Sequence, residues 1–334
     1  MAQARLSRRS FALGSILAAA VALHAAPLRA QTALPGPLVT AQWLSENLDK
    51  VQVIDVGDDK TRLATPPKFA VDPKSGAKRL VEAGGHIAGA RYIDFGLIRE
   101  EQVVEGVKLK SMMPTKESFE KVMSNAGVDK DKAIVILSPA DNISSLDMAT
   151  RLYFQLKYFG EDKIAVLNGG LTAWVAAGYA VTIDPIVTKQ GGWKATAERR
   201  EILATTEDVK AALKTRSVEL VDGRPVAQYF GISKSSVVKA GGHLEGAKLL
   251  PAEAIAASVG PATQFMSAKQ YTAIYKAQGI DPSMPSIAYC NTGHYASGAW
   301  FVASEIMGLR NAKMYAGSMN EWTNLGNPVV GLPQ

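Results

Sequence analysis

Short apolar runs recur along the chain, each closed by a polar or reactive residue: Val51-Gln52-Val53-Ile54-Asp55, Ala133-Ile134-Val135-Ile136-Leu137-Ser138, Val218-Glu219-Leu220-Val221-Asp222 and Ser286-Ile287-Ala288-Tyr289-Cys290. Their nearly continuous apolar character predicts parallel strands covered on both faces. Between them lie stretches with helical spacing, over Ser118 to Asn125, Ala149 to Tyr158, Thr206 to Lys214, Ala268 to Gln278 and Ala296 to Met307. Gln278-Gly279 and Met307-Gly308 supply the glycine stops expected at helix ends. Strand alternating with helix predicts an α/β chain with parallel sheets.

The pattern occurs twice. Ala83-Gly84-Gly85-His86-Ile87-Ala88-Gly89-Ala90 returns as Ala240-Gly241-Gly242-His243-Leu244-Glu245-Gly246-Ala247, each time after a run ending in aspartate, Asp55 or Asp222. Gly127-Val128-Asp129 and Gly279-Ile280-Asp281 then precede a further strand, and at a constant offset of 152 residues Ser138 holds the place of Cys290. Gly160 and Trp174 match Gly308 and Trp322 at an offset of 148, so the first copy carries four extra residues, placed in the loop Pro139 to Leu146. The polar, aperiodic stretch 185–200, with Pro185, Gly191 and Gly192, reads as the linker between copies spanning 36–184 and 201–334.

Residues 1–30 read as an export signal: Arg5, Arg8 and Arg9 precede the uncharged run Phe11 to Ala26, and Leu28-Arg29-Ala30 precedes a cleavage point. Ser7-Arg8-Arg9-Ser10-Phe11 has the twin-arginine form, which implies a periplasmic or otherwise exported protein. Pro27 and Arg29 end the run too early for a bilayer span of ~20 apolar residues, so no stable membrane insertion is expected once the signal is removed. Loss of this segment takes four arginines and no acid, and the net charge drops from +6 to +2. The remaining lysines are interspersed with acids, which argues against a nucleic-acid partner. The four histidines, His24, His86, His243 and His294, are not paired at ligand spacing, and no metal site is expected. A single cysteine excludes an internal disulfide framework.

That cysteine is either an inert buried thiol or a reactive one, and its position favours the second. Cys290 ends a predicted strand and is followed by Asn291-Thr292-Gly293-His294-Tyr295-Ala296 and a helix. In open α/β sheets ligand sites collect at that edge. A glycine turn at a helix N-terminus points backbone N–H groups and partial positive charge at one spot, which favours a thiolate or a persulfide anion.

The strand-cysteine-loop-helix arrangement, the two Gly-His-x-x-Gly-Ala strings and the paired strands ending in aspartate resemble the rhodanese family, over nearly all of the chain after the signal. The duplicate with one cysteine-bearing half resembles its two-domain thiosulfate or 3-mercaptopyruvate sulfurtransferases. The resemblance implies two tandem rhodanese-like domains, each a parallel sheet flanked by helices. The first domain would be inactive, with Ser138 where the thiol stood. It implies a double displacement through a Cys290 persulfide, without cofactor. The donors would be small sulfur-containing anions and the acceptors cyanide, thiols or a sulfur-accepting protein.

Substrate contacts implied by the resemblance are Arg224, Asn291, Thr292, Gly293, Tyr295 and Ala296. Arg224, two residues after Asp222, matches an Asp-x-Arg element that helps bind the donor, with a fold-stabilising salt bridge as the other reading. The first copy has Asp55-Val56-Gly57 there and lacks that arginine. Thiosulfate-type loops carry a cation just after the cysteine, whereas this loop carries Asn291 and Thr292, closer to the small polar residues of mercaptopyruvate-type loops. His294 is read as a catalytic group supplying a switchable charge or moving a proton near neutral pH, or else as a cap of the following helix. His86 and His243, like Trp174 and Trp322, recur in both copies and are read as structural. A dual-specificity phosphatase would need an arginine closing the loop, and Ala296-Ser297 stands there instead. A persulfide carrier without turnover and a redox sensor remain as other uses of the same thiol.

Overall fold

The computed structural model describes Met1 and residues 34–332, so the expected signal over residues 1–30 lies, Met1 apart, outside the described residues. Two five-stranded sheets form the frame. The first contains β1 (Leu38–Val39), β2 (Val51–Gly57), β3 (Arg91–Asp94), β4 (Ala133–Leu137) and β5 (Ile164–Leu167), in the order β1-β5-β4-β2-β3. The second contains β6 (Leu203–Ala204), β7 (Glu219–Asp222), β8 (Lys248–Leu249), β9 (Ser286–Tyr289) and β10 (Ala312–Tyr315), in the order β6-β10-β9-β7-β8. The two orders are the same, and every pairing within them is parallel. The duplication seen in the residues is therefore a duplication of topology.

The strands read as unbroken apolar runs because neither face meets water. Along β2, β4 and β5 alternate residues enter different cores: Ile54, Val56, Ile134, Ile136, Ile164 and Val166 on one side, Val51, Val53, Val135, Leu137, Ala165 and Leu167 on the other. In the second sheet Val221, Ala288 and Met314 share the first of these cores, whereas Leu220, Ile287, Tyr289 and Tyr315 line a third. One core is thus common to both halves and is built from the inner face of each sheet.

Two helices fill that shared core. Helix α1 (Ile143–Tyr158) starts six residues before the predicted Ala149, because Asn142 and Ser145 form a reciprocal capping box that turns much of the expected loop Pro139 to Leu146 into helix. Helix α2 (His294–Phe301) starts two residues before Ala296 and gives way to a π-helical turn over Val302–Ile306. The helices pack directly: Thr150 and Ser297 hydroxyls are 2.8 Å apart, Tyr153 donates to Glu305 at 2.6 Å, and Phe154 meets Trp300 edge to face at 4.9 Å. Each half also sends a hairpin across the junction. Asn320 donates to the Lys110 carbonyl within the Glu100–Val104/Val107–Met112 hairpin, and the Thr263 N–H in the Ala257–Val259/Ala262–Gln264 hairpin donates to the Ala140 carbonyl.

The segment 185–199 has no regular structure, yet it is not a free tether. The Trp193 ring is buried perpendicular to Phe119, its backbone N–H donates to the Val128 carbonyl, and the Gly191 N–H donates to the Ser124 carbonyl. The recurrent residues do structural work in both halves. His86 and Thr182 form one isolated β-bridge and His243 and Val330 the other, while the Trp174 and Trp322 indoles donate to the Ala180 and Pro328 carbonyls. Replacing Trp193 by Ala should destabilise the chain by about 3–5 kcal/mol, read as a lowered midpoint in thermal or denaturant unfolding.

Candidate active site

Cys290 is the residue after β9, and the two-residue repeat of the strand decides where it looks. Tyr289 faces the outer core of its own half, so Ala288 and Cys290 face the core shared with the other half. The backbone is held on both sides: the Cys290 N–H donates to Ser318 Oγ at 3.0 Å, and its carbonyl accepts from the Met319 N–H. In the first half the Ser138 carbonyl accepts from the Leu171 N–H in the same way. The scaffold of the loop is preserved in the copy that has no thiol.

Gly293 caps α2 with a left-handed backbone, φ 77°, that a side chain would strain. A Cβ there would also collide with Arg151 Nη1 and with the Ala316 carbonyl. Beyond it the first-turn N–H groups of α2 have no acceptor within the helix. Cys290 itself is 1% exposed, whereas Asn291 and Thr292 are half-buried beside it. Only a small donor, or an opening of the loop, brings a second sulfur to this thiol. Enclosure in turn keeps bulk water from the sulfur.

The other predicted residues differ in what they offer. The Asn291 amide donates to Gln228 at 2.7 Å and leaves its Oδ1 buried without a partner. The Thr292 side chain makes no hydrogen bond within the described residues. Tyr295 is half-buried and burial pushes its phenol up, so it is a neutral group. Ala296 is buried within α2 and presents at most its backbone.

His294 does not behave as a switch near neutral pH. Burial, with the charges of Arg99 and Arg151 adding to it, pushes its imidazole down to about 3. Nε2 lies 2.9 Å from the Ser144 carbonyl and, since a carbonyl only accepts, must carry the proton. The ring also packs on Phe95 and Tyr295, with centroids 4.7 and 5.4 Å away. In this arrangement His294 is a neutral stitch between the halves through its bond to the Ser144 carbonyl.

Arg224 answers to the salt-bridge reading. It is 1% exposed, its Nε and Nη2 grip Asp222 at 2.6–3.2 Å, and Nη2 also donates to the Gly242 carbonyl at 2.7 Å. The first half, which lacks an arginine at the matching position, rebuilds the same clasp from elsewhere: Arg62 donates to Asp55 at 2.7 Å and to the Gly85 carbonyl at 3.0 Å. A clasp present with and without the thiol holds the Gly-Gly-His turn to the sheet. Donor binding is left at most with Nη1, the one nitrogen of the Arg224 guanidinium that has no protein partner.

Several residues of the site come from the first half and carry no local motif. Ser144, Asp147 and Arg151 lie on α1, and the last two are fully buried. Burial raises the Asp147 carboxyl well above its ordinary value and so favours its neutral form, and its Oδ2 has no partner. The one sequence signal was a pair of opposite charges, Asp147 and Arg151, one turn apart within the stretch that became α1. Among the described residues no cluster of His, Cys, Asp or Glu is arranged to hold a metal ion.

Two measurements test these assignments. Arg224→Ala should destabilise the chain by roughly 3–5 kcal/mol in denaturant unfolding, the cost of stranding a buried partner, and Arg62→Ala should act alike in the half without the thiol. His294 has a folded value of about 3 against 6.5 for a free imidazole, so the unfolded chain takes up the extra proton between those limits. Its contribution is complete above pH 6.5 and is lost as pH falls, by up to ~1.4 kcal/mol per pH unit. In His294→Gln the unfolding free energy should accordingly vary less steeply between pH 6.5 and 4 than in the parent chain.

Comparison with known proteins agrees with this architecture. Residues 40–177 and 205–325 each match the rhodanese-like domain family. A putative thiosulfate sulfurtransferase of Haloferax volcanii is 29% identical over 87% of this chain and 95% of its own length. The sulfur carrier protein TtuD of Thermus thermophilus is 28% identical over 90% of this chain and 96% of its own. Among solved structures, the 3-mercaptopyruvate sulfotransferase SseA of Escherichia coli superimposes with a TM-score of 0.67 at 22% identity, over 85% of this chain and 98% of its own, a likeness of fold. With the family matched in both halves and the sheet order repeated, the chain belongs to the rhodanese-like family as a tandem of two domains.

Proposed function

We propose that the chain is a sulfurtransferase that carries a sulfane sulfur on Cys290. The observation that carries this reading is the placement of the sole thiol: it follows a parallel strand on the inner face, on a left-handed glycine loop below the start of α2, where the two halves meet. The full-length relatedness to a putative thiosulfate sulfurtransferase supports the reaction class.

With thiosulfate as donor, the Cys290 thiolate attacks the outer sulfur, a new S–S bond forms, and the old one breaks with its electron pair leaving on sulfite. With 3-mercaptopyruvate the C–S bond breaks, the pair remains on carbon, and a proton completes pyruvate. In either case the enzyme holds a persulfide, and an acceptor nucleophile removes the terminal sulfur and restores the thiolate. Unspent N–H groups at the start of α2 favour the anionic sulfur in both half-reactions, and the Thr292 hydroxyl, two residues after Cys290, is a side-chain donor with no partner among the described residues. The acceptor class is cyanide, a small thiol or the thiol of a sulfur-accepting protein. A basic N-terminus followed by an apolar run supports work in the periplasm.

Purified chain mixed with thiosulfate or 3-mercaptopyruvate should gain the mass of one sulfur, and cyanide should remove it with repeated turnover. Cys290→Ser should take up no sulfur and transfer none, while unfolding like the parent. A Cys290→Ser chain that still transfers sulfur would falsify the assignment.

A further inference from the structure

The loop that carries the thiol has no cation of its own, since Asn291, Thr292 and Gly293 follow Cys290 directly. A guanidinium arrives instead from the other half. Arg151 sits on α1, is 0% exposed, and places Nη1 3.0 Å from the Gly293 carbonyl. Its Nε and Nη2 are buried and have no hydrogen-bond partner, and no carboxylate among the described residues forms an ion pair with it.

A buried guanidinium with unused donors is an unfavourable arrangement unless an anion completes it. The neighbouring groups do not supply that anion. Asp147, one turn earlier on α1, is pushed towards its neutral form by burial, and His294 is a neutral imidazole. Arg99, whose charge also bears on Arg151, is a second cation. Burial lowers Arg151 to about 10, so it stays charged at neutral pH, and a negative charge on Cys290 would help hold its proton. The glycine at 293 is also explained, since any side chain there would occupy the space of Nη1.

Resting on the reading of Cys290 as the sulfur-bearing nucleophile, we propose that Arg151 of the thiol-free half is the anion-holding group of the site. Nη1 fixes the loop through the Gly293 carbonyl, and the unpartnered Nε–H and Nη2–H favour the negative sulfur of thiolate and persulfide and the charge of an incoming donor. The half without a nucleophile thereby supplies the charge that the nucleophile's own loop lacks. Arg151 is taken over by this role from α1, independently of the Asp222–Arg224 clasp.

The test is alkylation of the thiol by iodoacetate, an anion, and by iodoacetamide, which is neutral but otherwise similar. Removing one nearby positive charge from the site should lower the iodoacetate-to-iodoacetamide rate ratio by roughly tenfold in Arg151→Gln, and Arg151→Lys should keep most of the parent ratio. If the Gln variant does not unfold cooperatively, Arg151→Met, which keeps an apolar stem in the core, takes its place. An unchanged ratio in the uncharged variant, an equal fall in Arg151→Lys, or a parent thiol that neither reagent reaches would overturn the proposal. Alkylation needs no sulfur donor, so a chain that shows the ratio change yet transfers no sulfur would retain this role for Arg151 and lose the sulfurtransferase reading.

Discussion

The packing of α1 against α2 is the contact on which the rest of the site depends. It joins the inner faces of two sheets into one core, and the thiol lies in that core. Neither helix has a polar face to turn to water here: Phe154, Trp300, Phe301 and Leu152 are all buried at the junction. Separating the halves would expose this apolar surface, so association is driven chiefly by the hydrophobic effect. The hydrogen bonds Thr150–Ser297, Tyr153–Glu305 and His294–Ser144 fix the register of one helix on the other.

Charge at the junction follows from that burial. Desolvation disfavours any ionised group, so burial pushes the Asp147 carboxyl up and the His294 imidazole down, each towards its neutral form. An arginine responds differently, because its ordinary value lies so far above neutrality that even a substantial downward shift leaves it charged. Burial thus works against charge on the carboxyl and the imidazole while the guanidinium keeps its own. A site built to hold an anionic sulfur needs this imbalance.

Duplication explains which arginine does what. Both halves keep an aspartate in the C-terminal part of the second strand of their sheet, a guanidinium on it, and a Gly-Gly-His turn whose carbonyl takes a further N–H. The arginine lies seven residues after the aspartate in one half and two in the other. The clasp is thus kept as a three-dimensional arrangement and not as a spacing. A spacing-based match alone had made Arg224 look particular to the active half.

Apolar runs, the repeated Gly-Gly-His strings and the constant offset were enough to read two parallel α/β units and to single out Cys290, because strand burial and glycine turns are local properties written in consecutive residues. Even the direction in which the thiol faces follows from strand parity, once one face is known to be shared. What the chain in one dimension does not hold is the meeting of residues 144–151 with 290–297, since no local pattern announces which helix lies on which. That meeting turned His294 from a titrating group into a neutral bond and Asp147 towards a neutral acid. It also put Arg151 beside a loop 142 residues away. Desolvation and proximity are properties of the folded core, and only the tertiary structure decides them.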